Sequence, residues 1–350
     1  MSIFHSLVKK EALHIVRDTR TMVIIIIMPL VLLLLFGYAI STEVNDIRVV
    51  AVVDQQTEEI RDIIQRLKVN EYITFQGLAT HEDTDRLLRS GTSDAVLLLR
   101  YDAGLVKTQI LVDASNTNMA RTAAAYIRSI IAGQSGHSPL ITSTLYNPQL
   151  KSSYNFVPGI LGMIFILICA IMSSVSIVRE KETGTMNLLL VSPVRPRTII
   201  LGKLLPYFIL SSIILALMLL MSYTVLGLPV SSSVVKVIGV SMLYIILSLS
   251  IGLLVSTIVA TQLSALIVSA VMFMLPVIML SGMIFPIDNM PVALQWISSV
   301  IPARWYIEAM RKLMVQQLGL GYIYREVIIL SSMTVLFLTL AIIKFKSSTK

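Results

Sequence analysis

The run from Arg179 to Gly184, Arg-Glu-Lys-Glu-Thr-Gly, sets two cations and two carboxylates side by side directly behind an apolar stretch. Four charges on a helix leaving an apolar run suit the docking of a partner, and Gly184 permits a sharp turn after them. Met186–Val191 follows as an apolar patch too short to span a bilayer, closed by Ser192-Pro193 and broken again at Arg195-Pro196. A short apolar helix between charged hinges is a docking surface; a charge cluster that arrests membrane transfer, followed by a plain loop, has the same composition. Other chemistry is missing. Gly202-Lys203 is the one Gly-Lys pair, and Arg197 stands where the first glycine of a phosphate-binding loop belongs, so that motif is absent. His5, His14, His81 and His137 are scattered without metal-ligand spacing, and one cysteine, Cys169, allows neither an internal disulfide nor a cysteine metal cluster. The expectation is no metal and no cofactor held by this chain.

The elements that carry these residues are six uncharged apolar runs: 22–40, 156–178, 204–228, 237–259, 263–285 and 327–343. About 20 apolar residues rising 1.5 Å each cross a hydrocarbon core, so each run reads as a spanning helix. The chain of 350 residues is 55% hydrophobic and only 14% charged, which excludes a disordered protein and disfavours a soluble enzyme. None of the runs holds Asp, Glu, Lys, Arg or His, which disfavours a proton-driven carrier or an intramembrane protease. The first run is longer than a signal-peptide core and has 21 residues before it, so it reads as an uncleaved anchor.

Residues 1–21 form a basic amphipathic helix for the membrane interface. Ile3, Phe4, Leu7, Val8, Ala12 and Ile15 share one broad face and Lys9, Lys10, Arg17 and Arg20 the opposite arc, while Glu11, His14 and Asp18 spoil the apolar side. With the N-terminus in the cytoplasm, the cytoplasmic pieces (1–21, the 179–203 loop and the 344–350 tail) hold twelve positive and four negative charges. The outer segments hold sixteen of each, so the whole net charge of +8 lies on one side, as the positive-inside rule requires. That excess marks an orientation and does not call for nucleic acid.

The 115 residues from 41 to 155 form one large outer segment. Arg48–Asp54, Tyr72–Leu78, Ala95–Leu99 and Thr108–Val112 read as strands, and Glu58–Leu67, Asp83–Ser90 and Asn116–Ala132 as helices, which makes a small α/β domain. Gly133–Pro139 reads as a flexible return. The fold class is therefore an α-helical polytopic membrane protein of six transmembrane helices, with an α/β extracytoplasmic domain inserted between the first two. Ser248, Gly252 and Ser256 form a small-residue stripe for close helix packing. Met272, Met279 and Met283 lie on roughly one face beside Phe273, an adaptable apolar surface that could line a pathway and is more often core or lipid-facing.

The stretch REKETGTMNLLLVSPVRPRTIILGKLLP from Arg179 resembles the signature region of ABC-2 type permeases, the membrane subunits of ATP-driven exporters. SGMIFPIDNMPVALQWISSVIPARWYIEAMR from Ser281 is similar to a second region of that family, and the segment around VAVVD and SDAVLLLRYD looks like the subfamily with a large domain between spans one and two. The resemblance implies a dimer, with an identical copy or a paralogue, carrying two ABC ATPase subunits that bind the ATP and Mg. It also implies a bacterial cytoplasmic (inner) membrane, with both termini cytoplasmic, contact with membrane lipids and, where an outer membrane exists, room for a periplasmic adaptor. Residues 1–21 would be the interface helix, and Arg179, Glu180, Lys181, Glu182, Thr183 and Gly184 would couple to the ATPase. Residues 286–326 would be an outer re-entrant segment, with Phe285, Pro286, Met290, Pro291, Trp296 and Pro302 setting its breaks and aromatic rim. The cargo fitting an uncharged interior is an apolar or amphipathic drug or lipid-like compound, with sodium ion as an alternative cargo. The rival reading is a membrane sensor or mechanotransmitter whose outer domain binds a ligand, although the short cytoplasmic pieces hold no signalling domain.

Overall fold

The structure, a computed structural model, describes residues 3–39, 47–70, 72–89, 92–102, 105–112, 117–132, 152–186, 196–229, 234–285, 287 and 290–347. The chain divides into two compact units, Ser41–Lys151 and the remainder (Met1–Ile40 with Ser152–Lys350).

The smaller unit is a four-stranded sheet in the order β2-β1-β3-β4. Strands β1 (Ile47–Val53) and β2 (Ile73–Ala79) are parallel, β3 (Ala95–Asp102) runs parallel to β1, and β4 (Leu105–Val112) returns antiparallel to β3. Helix α3 (Glu58–Val69) buries Ile60, Ile63 and Leu67, one helical stripe, against the sheet. Glu58 and Glu59 in its first turn and Arg66 and Lys68 in its last complement the helix dipole. Helices α4 (Thr84–Arg89) and α5 (Thr117–Ala132) complete the unit. The β3–β4 hairpin runs longer than hydropathy indicates because its outer end is charged and cross-paired. Lys107 bonds Asp102 at 2.6 Å and Arg100 bonds Asp54 at 2.8 Å, so polar residues extend the ladder. The Gly133–Pro139 stretch lies outside the described residues.

Strand β3 is pinned to β1 at its start. Asp94 accepts from the Arg48 backbone N–H at 3.0 Å, from Nε at 3.0 Å and from Nη2 at 2.9 Å, and its own N–H donates to the Arg48 carbonyl. Burial alone would raise the Asp94 carboxyl, but the hydrogen bonds and charge of Arg48 hold it below the usual range. A carboxyl depressed on folding stabilises the fold above its unfolded pKa of about 3.9 and loses that contribution as pH falls through the folded value. Amide-exchange protection of β1 and β3 in the full-length protein is therefore expected to hold from neutral pH to about pH 5 and to weaken below about pH 4. Asp94→Asn should flatten that dependence and cost about 1 kcal/mol, since solvent still reaches the pair.

The larger unit is helical. It contains α1 (Ile3–Arg17), α2 (Thr19–Ala39), α6 (Ser152–Glu182), α7 (Pro196–Thr224), α8 (Val234–Ser256), α9 (Gln262–Leu280), α10 (Val292–Ser299), α11 (Pro302–Met310) and α12 (Tyr324–Ser347). Five of these, α6 to α9 and α12, are long and apolar enough to cross a membrane, and a sixth span is added when α1 and α2, bent by 69°, are taken as one broken element. Helix α6 is the hub, with α2, α8, α9 and α11 packed on it. Val157, Ile160, Leu161, Ile164, Phe165 and Ile166 are buried there, so both sides of the helix face protein. Tyr244 on α8 stacks on Tyr306 of α11 with centroids 4.1 Å apart, and its hydroxyl donates to the Gly162 carbonyl of α6.

Three apolar runs continue several residues past the ends of their helices. Helix α7 begins at Pro196 and stops at Thr224, short of the run's end at 228, and Gly227 (φ +65°) turns the chain. Helix α8 stops at Ser256 rather than 259. Helix α9 stops at Leu280 rather than 285, because Gly282 (φ +81°) takes the left-handed conformation. Hydropathy continues through these turns while the backbone does not. Residues 187–195, which hold most of the Met186–Val191 patch, lie outside the described residues.

Candidate functional site

The site assembles where α6 ends. A glutamate on α1, another on α6 and a lysine on α7 meet there. Lys203 Nζ lies 3.0 Å from Glu11 Oε1 and 3.1 Å from Glu180 Oε1, and Lys10 Nζ donates to the same Glu180 oxygen at 2.8 Å. Ser176 Oγ donates to Glu11 Oε2 at 3.4 Å. Lys203 is 2% exposed, Glu11 6% and Glu180 7%. Charges so deeply buried persist only when paired. Gly202 beside Lys203 lets α1 approach α7 closely, since a Cβ there would meet the Leu7 side chain at 3.2 Å.

The neighbouring charges of the same helix end each hold a different element. The Lys181 ammonium donates to the carbonyl of Ser256, the last residue of α8, a cation on a helix C-terminus. Glu182 Oε2 accepts from the backbone N–H of Gln262 at 3.2 Å and from its side-chain amide at 2.8 Å, an anion on the N-terminus of α9. Thr183 Oγ1 donates to the Arg179 carbonyl, and Gly184 (φ +74°) ends the helix with its N–H on Lys181 O. One turn of α6 therefore touches α1, α7, α8 and α9 together. The sequence pattern singled out Arg179–Gly184 as a hinge but missed Glu11, Lys203, Ser256 and Gln262. Glu11 was visible only as a carboxylate interrupting an apolar face.

Of the basic interface-helix residues, Lys10 joins this network, Lys9 and Arg17 are exposed on the groove that also holds Arg179, and the Arg20 side chain lies outside the described residues. The second candidate region lies near α10 and α11. Pro291 caps the start of α10, and Pro302 is the first residue of α11 and is buried. Trp296 is 73% exposed, Phe285 is exposed and Met290 half-buried, while Pro286 lies outside the described residues. Trp305, not Trp296, is the buried tryptophan, with Arg304 and Arg325 both within cation–π distance of its ring. Farther along, Lys312 bridges Glu308 at 3.2 Å and the fully buried Glu326 at 2.7 Å, a second network the sequence pattern missed.

The methionine set does not form one surface. Met272 and Met279 are exposed on α9, Phe273 is buried, and Met283, past the helix end, is buried against Gly159. The turn at Gly282 rotates Met283 off the face of the other two. Ser248, Gly252 and Ser256 are all buried, and Gly252 lies directly on the α6 backbone at Ala170. Among the described residues, no group of His, Cys, Asp or Glu could hold a metal ion.

A polytopic helical membrane protein, with a small sheet-bearing unit and a charge-stapled hub at one helix end, is the class these features define. The chain belongs to the ABC-2 family transporter proteins, whose sequence pattern matches residues 19–343. It is similar to the probable multidrug ABC transporter permease YbhS of Escherichia coli K12, 29% identical over 87% of this chain and 86% of that one. The probable multidrug ABC transporter permease YbhR of the same organism is 26% identical over 93% of this chain and 94% of its own length. The inner membrane transport permease YhhJ, also from Escherichia coli K12, is 27% identical over 69% and 67%. This chain is thus an ABC-2 type permease, a transporter membrane subunit of a family that works with ATPase partners.

Proposed function

We propose that this permease moves an apolar or amphipathic compound outward across a bacterial cytoplasmic membrane, driven by ATP hydrolysed on two separate ATPase subunits that also hold the Mg. Two permease chains, identical or paralogous, form the path. Both termini and the 179–203 loop face the cytoplasm and the α/β unit faces outward, the orientation that puts the excess of Lys and Arg inside. Residues 286–326 form an outer re-entrant segment.

One observation carries the mechanism: the end of α6 binds α1, α7, α8 and α9 through Glu180, Lys181 and Glu182, while Arg179, Thr183, Gly184 and Thr185 stay exposed beside them. A push from a closing ATPase at these exposed residues is delivered to four helices as one unit. Because the contacts are charge-assisted and directional, the helix ends move together rather than sliding past one another. The multidrug names of YbhS and YbhR support an apolar cargo, as does the absence of charged residues from the six apolar runs.

Glu182 is exposed, so reversing its charge tests coupling without emptying the core. Glu182→Lys is expected to leave the permease folded and to release the N-terminus of α9. Recovery of the ATPase with the permease, and stimulation of its ATP hydrolysis by a transported dye, should fall at least several-fold. Unchanged co-purification together with unchanged stimulation would remove Glu182 from the coupling joint.

A further inference from the structure

Beside the buried ion network lies a cavity of about 430 Å³, walled by α1, α2, α6, α7 and the first turn of α9. That volume suits a small ligand. Its lining has two characters. Ile25, Ile171, Val175 and Leu266 give an apolar side, and the first three belong to the apolar runs 22–40 and 156–178. Arg179 and Glu180 give a polar side, just beyond the end of the second run. The cavity therefore straddles the boundary between hydrocarbon depth and the interface, where an amphipathic molecule keeps its body apolar and its head polar.

The polar side carries an unmet demand. Glu180 Oε1 takes both Lys10 and Lys203, but Glu180 Oε2, buried in the same side chain, has no hydrogen-bond partner. A buried carboxylate oxygen without a donor is costly and uncommon. Glu180 lines the cavity, and the last torsion of a glutamate is soft, so a donor seated in the cavity can approach this carboxyl group. An anionic head placed at Glu180 Oε2 would face an unpaired carboxylate oxygen; both nearby ammonium groups are already engaged by carboxylates, and the Arg179 guanidinium on the same lining is left for a second, anionic group of the ligand. A protonated amine meets that demand.

We propose that this cavity receives an amphipathic amine, its ammonium donating to Glu180 Oε2 and its apolar body lying along Ile25, Ile171, Val175 and Leu266. Two sources carry this chemistry: a free amphipathic amine, and the headgroup of an aminophospholipid, whose phosphate would be met by the exposed Arg179 guanidinium. As a loading point for cargo the site rests on the exporter reading above; as a binding site it does not.

The test is binding of labelled dodecylamine to the purified full-length permease, without ATPase, in maltoside micelles. Saturable binding is expected, with dodecanol at least about tenfold weaker, the discrimination a charge-assisted hydrogen bond provides. Glu180→Gln should abolish that preference for the amine. Leu266→Trp fills the cavity from a half-exposed position and leaves every ion pair intact, so it should weaken dodecylamine at least about tenfold even if Glu180→Gln fails to fold. Displacement by phosphatidylethanolamine would identify a lipid headgroup as the occupant, and displacement by soluble amines alone would identify a free amphiphile. Equal affinity for dodecanol and dodecylamine, or undiminished binding to a folded Leu266→Trp protein, overturns the proposal. Because no ATPase is present, that failure is separate from a failure of the exporter reading, which shows as absent dye-stimulated ATP hydrolysis in the assembled complex.

Discussion

Lys203→Met is expected to destabilise the permease by about 3–5 kcal/mol, the usual consequence of removing one partner from a buried ion pair. The effect is large because Lys203 is shared: with it gone, Glu11 keeps only the Ser176 hydroxyl, and Glu180 keeps only Lys10, whose side chain is half exposed. Two carboxylates buried side by side then repel, and one must take up a proton to remain inside. Thermal unfolding of the purified protein, followed by loss of the monodisperse peak after heating, should show a marked drop, larger at neutral than at mildly acidic pH. Adding Glu11→Gln and Glu180→Gln to Lys203→Met removes every buried charge of the network and leaves only the half-exposed Lys10, so stability should recover most of the loss. The same triple variant should still fail to couple ATP hydrolysis to a transported dye, since the joint between α1, α6 and α7 is gone. A single variant as stable as the parent would mean that water, not Lys203, neutralises the two glutamates.

That network shows where the sequence is readable and where it is not. The apolar runs are legible because partition into hydrocarbon depends on about 20 residues summed, and a sum tolerates errors at its ends. The ends depend on single backbone conformations at Gly227 and Gly282, which hydropathy does not register. The α/β unit is legible for a similar reason, since residues 49–52 and 95–97 are short continuous apolar runs that are buried on both faces, and Ile60, Ile63 and Leu67 are buried by helical period. Pairing across the chain leaves no such periodic trace. Glu11 and Lys203 are 192 residues apart, and each looks locally like a defect: a carboxylate on the apolar face of α1 and a lysine at the mouth of an apolar run. The Arg179–Gly184 cluster was recognisable as a hinge from composition, but Lys181 on α8 and Glu182 on α9 follow only from three-dimensional placement. The methionines of α9 mark the opposite error, an apparent common face that ends where Gly282 turns the backbone.

Helix packing at the hub gives the second large effect. Gly252→Leu should prevent accumulation of folded permease, and Gly252→Ala should destabilise it by about 2–3 kcal/mol or more. A Cβ at position 252 would lie 2.4 Å from the carbonyl oxygen of Ala170 and 2.7 Å from its Cα, so the obstruction is backbone, which cannot change rotamer to make room. Helices α6 and α8 would have to separate along the line on which Ser248 and Ser256 also sit, four residues to either side. Separation would pull the Tyr244 hydroxyl from the Gly162 carbonyl, 2.9 Å away, and the Ser173 hydroxyl from Leu249 O, also 2.9 Å. Both contacts are buried, so their loss adds to the steric cost. Gly239 supplies the control on the same helix, because a Cβ there meets nothing within 4 Å. Gly239→Ala should be neutral or stabilising by about 0.5–1 kcal/mol, the ordinary gain in helix propensity. Measured side by side in detergent, the two alanine variants should shift the unfolding temperature in opposite directions. Equal shifts would mean that α8 packs at this point with enough slack to admit a side chain, and that α6 is not the rigid hub on which the coupling joint depends.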